Sequence, residues 1–541
     1  LRLLRNDGGN ANHQLKLRLL GTRSNASGLG VRIEVKAEHW RTLRTVTELP
    51  VEIGMGKNAK PEVVKPRWSD LTLPVLFELQ ADPHTVWNLM ELEQPTGSCP
   101  YLYAWDGAGF RFVTDILGAS PLGLRVSDTR FVEADPEEYI ALGDESRLPP
   151  KEGKYLLQVT EELREVLYLD EAKLVAVDHP PEIKVCTTSK MLPGKPFIPH
   201  ELIGLHHPHP LLRAENHQGK EVTAELKASD GQMVSPAKKR IPQLRGLAEP
   251  SSVTLDFGPL PVERPLVLVL NGWLRFGGGM ANVAGSHDPD LPFPFPKLEV
   301  ELPAAQAPVS GAAPIWRPVD LSMGVPCGKT KTILVDLAGK LPPGSRRLRI
   351  STAFELHWDQ AELWERASGA PLRITRLAPS RADLHWRGFS AFRPLPWQFP
   401  LTPEYAQTMP DPPWRITPAG WCTRYGVVDE LLAQKDNALV LINGGDELTL
   451  SFAVDGLPAK PPGYVRDFFF YSIGWDKDSD SHVECGTTVE PFPFHGMDDQ
   501  AYGHQVRPAG LDDAWITKYN TRWVGPQTLS RKDHPRIGRN R

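Results

Sequence analysis

Most signals that would announce a chemistry are missing from this chain of 541 residues. Its five cysteines, Cys99, Cys186, Cys327, Cys422 and Cys485, lie far apart. No C-x-x-C pair is present for zinc or redox work, no C-x-x-C-H for covalent haem, and the odd count leaves at least one thiol unpaired. A G-x-S-x-G elbow and a dinucleotide fingerprint are also lacking, so no catalytic residue is assigned. Charge of one sign is not in excess. With 61 basic against 66 acidic residues, a formal charge of -5 is spread along the chain, which argues against a nucleic-acid stripe or a polybasic membrane arm. The strongest apolar run, PLVLVLNGWL at 265–274, is half the roughly 20 residues a membrane helix needs, and Asn271 and Gly272 interrupt it. No transmembrane segment and no nucleic-acid partner are therefore expected.

Proline is what the chain has in quantity: 53 residues, about twice the usual ~5 %, beside 15 tryptophans and an ordinary 45 glycines. Proline at that density breaks long helices and suits the loops and edges of sandwiches, so a mainly β protein with few short helices is expected. The best helix candidates are TPEYAQTM (402–409) and YGVVDELLAQK (425–435). Period-two alternation marks strands in HQLKLRLLGT (13–22) and VRIEVKA (31–37), and DGAG splits the aromatic hairpin within GSCPYLYAWDGAGFRFVTDI (97–116). Tyr101, Tyr103 and Trp105 share one strand face there; core packing is the leading reading and sugar stacking the alternative. YLDEAKL (168–174) and HWDQAEL (357–363) carry Asp, Ala and Leu in step, as two similar sandwiches in tandem would. Between them, 190–250 reads as linker with weak strands, and DELTLSFAV (446–454) and VRDFFFYSIGW (465–475) add late strands. The expected units are a small β domain at 1–95, a first jelly-roll or β-sandwich with a Pro/His-rich linker at 96–245, and a second sandwich with a C-terminal extension at 246–541.

Three strings approach a chemical motif. GVPCGKT (324–330) resembles a phosphate loop but has three residues between its glycines and Pro326 inside, so it reads as a turn before the strand KTILVDL. HELIGLHH (200–207) has Gly204 where a helical zinc motif needs histidine; a zinc set from His206, His207, His209 and His217 is the alternative to a solvated loop. GWDKDSDSHVE (474–484) spaces Asp476, Asp478, Asp480 and Glu484 as a calcium loop would, with a carbonyl at His482. Four clustered carboxylates repel, so either a cation such as Ca2+ neutralises them or they point to solvent from a hairpin tip.

The stretches NDGGNANHQLKLRLLGTRSNASGLGVRIEV (6–35) and IGMGKNAKPEVVKPRW (53–68) resemble the ASPIC/UnbV domain, which usually follows FG-GAP propeller repeats in secreted or surface proteins. The family's Trp-Pro-x-Gly turn is replaced by Trp68, Ser69, Asp70 and Leu71. Downstream, GSCPYLYAWDGAGFRFVTD, LVLVLNGW, HWDQAELW and the aspartate-rich segment are similar to the C-terminal extension of large bacterial FG-GAP proteins. LYLDEAKL resembles the closing strand of galactose-binding-like jelly rolls, where a nearby aspartate often helps hold calcium. The opening LRLLRNDGG reads as the middle of a domain, so further chain is expected before it. The resemblance implies an exported interaction protein, secreted, cell-surface or periplasmic; with no catalytic signal in the residues, the expectation is a non-catalytic interaction or scaffolding role among other protein subunits, with Ca2+ at the spaced carboxylates as a structural ion. The alternatives are glycan binding or processing on the aromatic hairpins, and an accessory subunit packed on a redox or photosynthetic complex.

Overall fold

In the computed structural model of the chain, residues 11–21, 24–68, 85–91, 100–192, 194–238, 245–288, 295–302, 314–321, 323–393, 399–409, 417–480 and 482–525 are described. The N-terminal unit follows its alternation. Leu15, Leu17 and Leu19 of His13–Leu20 and Ile33, Val35 and Ala37 of Arg32–Ala37 are buried, while their neighbours along each strand are more exposed. Two three-stranded sheets close over them: Val51–Gly56, His13–Leu20 and Val86–Met90 in one, Trp40–Thr45, Arg32–Ala37 and Val63–Arg67 in the other.

Beyond residue 100 the main strands come in four groups. The first holds β1 (Tyr101–Trp105), β2 (Phe110–Asp115), β3 (Glu137–Asp144), β4 (Lys154–Thr160) and β5 (Glu165–His179); the second holds β6 (Ile203–His209), β7 (Arg213–Asn216), β8 (Leu247–Asp256) and β9 (Leu266–Leu274). The third holds β10 (Lys297–Glu301), β11 (Trp316–Asp320), β12 (Lys331–Asp336), β13 (Arg347–Phe354) and β14 (Leu356–Arg366); the fourth holds β15 (Arg373–Leu377), β16 (Arg381–Trp386), β17 (Asp446–Ala453) and β18 (Val465–Asp478). One sandwich has sheets ordered β16-β17-β4-β1-β2 and β15-β5-β18-β3; the other has β7-β8-β13-β10-β11 and β6-β14-β9-β12. Corresponding strands differ by nine in number throughout, so the two sandwiches share one strand order.

The groups do not pair as a simple tandem repeat would pair them. The second group closes with the third into a contiguous sandwich, and the first closes with the fourth around it. The expected units at 96–245 and 246–541 are therefore replaced by an inserted sandwich and an outer one built from two separated stretches. The register leaves no ambiguity: β4 pairs with β17, β5 runs along β18 from Glu165↔Asp478 to His179↔Val465, and β7 pairs with β8 across the expected boundary. Alternation says which residues face a core, but it does not say which distant strand supplies the other side.

The two heptads noted above lie on equivalent strands, β5 and β14, and share a defect. Asp170 is an extra residue between Leu169, opposite Gly474, and Glu171, opposite Ile473; Asp359 is the extra residue between Trp358, opposite Gly272, and Gln360, opposite Asn271. Each is a β-bulge that needs glycine across from it. A Cβ on Gly474 would lie 2.4 Å from the Tyr168 carbonyl oxygen, and one on Gly272 would lie 2.4 Å from that of His357. Each bulged carboxylate then holds a loop. Asp170 accepts from the Asn437 N–H (3.0 Å), and Asp359 from the Gly231 N–H (2.9 Å) and the Ser229 hydroxyl (2.7 Å).

Short connections join the sandwiches, and a shared apolar patch of Tyr139, Val175, Val177 and Phe469 with Ile183 and Val185 seals the junction. Because β5 and β18 are covered on both faces, they carry uninterrupted apolar stretches, VLYL (166–169) and LVAV (174–177) in β5 and FFFY (468–471) in β18. A buried ion network ties the sandwiches further. Within GVPCGKT, Val325–Pro326 pairs with Lys190–Met191, and the turn after it wraps a carboxylate of the outer sandwich: the Lys329 N–H donates to both oxygens of Asp115 at 3.0 Å. Lys331 lies 3.3 Å from Asp115 and 2.9 Å from Glu138, with its ammonium donating to the Cys327 carbonyl at 2.6 Å. Gly328, at φ 97°, is required, since a Cβ would stand 2.4 Å from an Asp115 oxygen. Removing one partner from such a buried pair strands a charge, at about 3–5 kcal/mol.

The expected helix at 402–409 is instead the strand Thr402–Met409, paired with Phe389–Arg393. Tyr405 packs there on Tyr103 (4.8 Å) and Phe110 (5.1 Å), so tertiary contact decides the conformation. Of 425–435, Gly426–Val427 pairs with β16, and only Asp429–Leu432 is helical, as a single 3-10 turn. Two α-helices occur among the described residues, α1 (Gly278–His287) and α2 (Ala514–Tyr519). Neither is long and apolar enough to cross a membrane.

Residues 180–372 expressed alone should fold to a β-rich domain with one cooperative melt, because their core closes within that span. Residues 96–245, which hold halves of two different sandwiches, should not. Circular dichroism melts of the two fragments check this; a folded 96–245 beside an unfolded 180–372 would overturn the pairing.

Candidate functional site

The aspartate-rich segment is neither a hairpin tip nor a solvent loop. Asp476 lies inside β18, 1 % exposed; the chain from Asp476 onward is stitched to residues 121–124 through the bridges Pro121↔Asp476 and Leu124↔Val483. Asp478 meets the Arg164 guanidinium at 3.0 Å and Asp480 at 3.7 Å, while Glu484 pairs with Arg125 at 2.8 Å. Asp480 also accepts from the His482 N–H at 2.9 Å. The four predicted ligands are thus shared between two arginines and one buried position. Among the described residues, they do not form a set of three side-chain donors within 4.8 Å of one another.

Burial raises the Asp476 carboxyl to about 8, with the Asp478 charge adding to the shift and Lys331 opposing it. Glu161, fully buried nearby, is pushed up for the same reasons, burial first and then Asp476. Among the described residues, one oxygen of each, Asp476 Oδ1 and Glu161 Oε2, has no hydrogen-bond partner. Next in sequence, the Lys477 ammonium donates to the Val489 and Glu490 carbonyls and the Tyr502 hydroxyl, and burial lowers it to about 7.

Two residues next to the Asp170 bulge, Trp475 and His495, line a cleft of about 370 Å³. Trp475 follows Gly474 into it, and His495, whose ring tilts against Trp475 at 4.9 Å, is held by a short hydrogen bond to Asp170. The connector into the inserted sandwich supplies the opposite side. His200 Nε2 bonds both Asp135 oxygens at 3.0 Å, Lys195 reaches Asp499 at 2.6 Å, and Lys435 reaches Glu137 at 2.8 Å. Burial disfavours the charged imidazole of His200, yet the Asp135 hydrogen bond and charge outweigh it and raise its pKa. Burial likewise works against ionised Glu137, but Lys435 holds its carboxyl below the ordinary value. Among the described residues, His200 Nδ1 is buried without a hydrogen-bond partner. The described lining contains no serine, threonine or cysteine, so acid–base pairs are present without a hydroxyl or thiol nucleophile beside them. This arrangement suits hydrogen bonding to a polar ligand.

Tyr101 and Tyr103 are fully buried, so those two rings are core and offer no stacking face. Exposed aromatics sit elsewhere, where sequence patterning gave no warning. Gly420–Cys422 pairs with Arg522–Val524, and this ribbon presents Trp421 (47 % exposed) and Trp523 (57 %) edge to face at 5.3 Å. Tyr425 lies under the guanidinium of Arg522, a residue of this ribbon, which stands 4.3 Å from its ring centre. Comparison of the chain with protein-family models, curated proteins and solved structures gives no match.

Asp476 generates a pH prediction. With 3.8 as its ordinary value and about 8 in the fold, the folded chain keeps a proton that the unfolded chain releases, so stability falls as pH rises between these values. Lys477 acts in the opposite sense, but only above pH 7, where the unfolded chain alone keeps the lysine proton. Between pH 5 and 7 the melting advantage of Asp476→Asn over the wild type should therefore grow with pH, by about 1.4 kcal/mol per unit for one retained proton. Denaturation at several pH values checks it; a gap independent of pH would contradict the assignment.

Proposed function

We propose that this chain is a non-catalytic interaction module of an exported protein, a rigid β scaffold that docks a protein partner through the Trp421–Trp523 ribbon. The carrying observation is that pair of half-exposed tryptophans, with Arg522 of the same ribbon stacked on Tyr425, the residue types that dominate binding energy at interfaces. The resemblance of the N-terminal stretches to ASPIC/UnbV domains supports an extracellular or periplasmic setting. A photo-crosslinking amino acid at position 421 or 523, in the native host, should give a discrete heavier species, while the same group at Val506, 84 % exposed and outside the ribbon, should not. Equal labelling at all three positions, or none at the ribbon, would sink the reading.

A second reading is favoured by the cleft: its volume and the paired charges of Asp135, His200, Glu137 and Lys435 along its lining suit a small hydroxylated ligand such as a sugar unit. Titration of mono- and oligosaccharides followed by isothermal calorimetry should then saturate in the wild type and fail in His200→Ala. A flat response across the panel would remove glycans as the ligand.

A further inference from the structure

Adjacent residues of a strand point to opposite faces, so consecutive histidines cannot ordinarily share a ligand. At the end of β6 they do share one side. His206 stands opposite Glu365 of β14, but the register then slips, and the next matched pair is His209 with Leu363. Pro208 lies inside the slip and has no N–H to give to the ladder. His207 adopts φ 46°, the left-handed region that side chains other than glycine, asparagine and aspartate seldom enter. This bulge swings its ring over that of His206, with centroids 4.1 Å apart and planes 20° from parallel.

The two rings converge on a buried carboxylate. A nitrogen of His206, a nitrogen of His207 and an oxygen of Glu365 all lie within 4.8 Å of one another. Glu365 is only 7 % exposed, and its two oxygens are differentiated: Oε2 lies 3.5 Å from His207 Nδ1, and Oε1 lies 3.2 Å from His209 Nε2. Two imidazoles and one carboxylate are the donor set of borderline divalent cations, and a third histidine on the other carboxylate oxygen is how such ligands are held in orientation. His217, the fourth histidine of the sequence expectation, lies just beyond β7 in the other sheet and takes no part; Glu365, far away in sequence, takes its place.

We propose that His206, His207 and Glu365 bind one divalent transition-metal ion of the zinc type, with His209 as the positioning residue for Glu365. The ion would clip β6 to β14 where the bulge interrupts their ladder. Since the His207 side chain is 69 % exposed, a fourth coordination position opens to solvent, for water or for a donor atom of a partner.

The test is a titration of tag-free full chain with Co2+, followed by the visible d–d absorption of the ion, and then by displacement with Zn2+. One equivalent should bind in the wild type and in His217→Asn. His207→Asn, whose side chain tolerates the left-handed backbone, should lose the spectrum while melting normally in chelator. His209→Ala should weaken binding by about ten- to a hundredfold. Wild type without a cobalt spectrum, or His207→Asn with an undiminished one, would overturn the site.

Discussion

The antiparallel pairing of β5 with β18 is the constraint on which the rest of this structure depends. It joins residues 165–179 to residues 465–478 and closes the outer sandwich around everything between them. Chain order alone would let each first half pair with the half that follows it. Instead the halves are exchanged, as in domain swapping within a single chain. The inserted sandwich is thereby held at both ends, with Ile183 and Val185 packed on the outer sheet at one connection and Ala367, Ala370 and Leu372 at the other. Lys331, placed between Asp115 and Glu138, then fixes the contact with buried charge, a device that sets geometry more surely than it adds stability.

One local feature recurs in both sandwiches and has been put to different use. The bulged aspartate opposite a Gly-Trp pair holds a loop in each: Asp359 secures residues 229–231, and Asp170 secures residues 436–437. In the outer sandwich Asp170 also orients His495, and Trp475 joins it on the cleft wall. In the inserted sandwich the matching Trp273 stacks flat on His357 at 4.5 Å, inside the protein. The tryptophan beside the bulge thus lines a ligand-sized space in one copy and is packed over in the other.

How much of this was legible in the sequence depends on range. The mainly β character, the alternating N-terminal strands and the kinship of YLDEAKL with HWDQAEL follow from local pattern, and so does the burial of Tyr101 and Tyr103. The matching Gly272-Trp273 and Gly474-Trp475 pairs were also present in the letters; their meaning needed the register opposite the aspartates. Domain boundaries were misjudged because pairing between distant halves leaves no trace in alternation. Spacing placed four carboxylates in a row at 476–484, but the arginines that face them, Arg125 and Arg164, come from hundreds of residues earlier. Glu365 was invisible beside HELIGLHH for the same reason, and Tyr405 became a strand residue through rings it meets only in three dimensions.

The exchange of halves can be read directly by cysteine cross-linking. Ala172 faces Ser472 across β5 and β18, and the equivalent positions in the inserted sandwich are Ala361 and Leu270 across β14 and β9. Directly opposed residues of antiparallel strands lie about 4.5–5.5 Å apart at Cα, within the reach of a disulfide. Oxidation of the Ala172→Cys, Ser472→Cys double variant, followed by peptide mapping, should yield the 172–472 cross-link. The Ala172→Cys, Leu270→Cys variant should yield none. The reverse outcome, a 172–270 cross-link without a 172–472 one, would show that each repeat closes on itself and would contradict the architecture described.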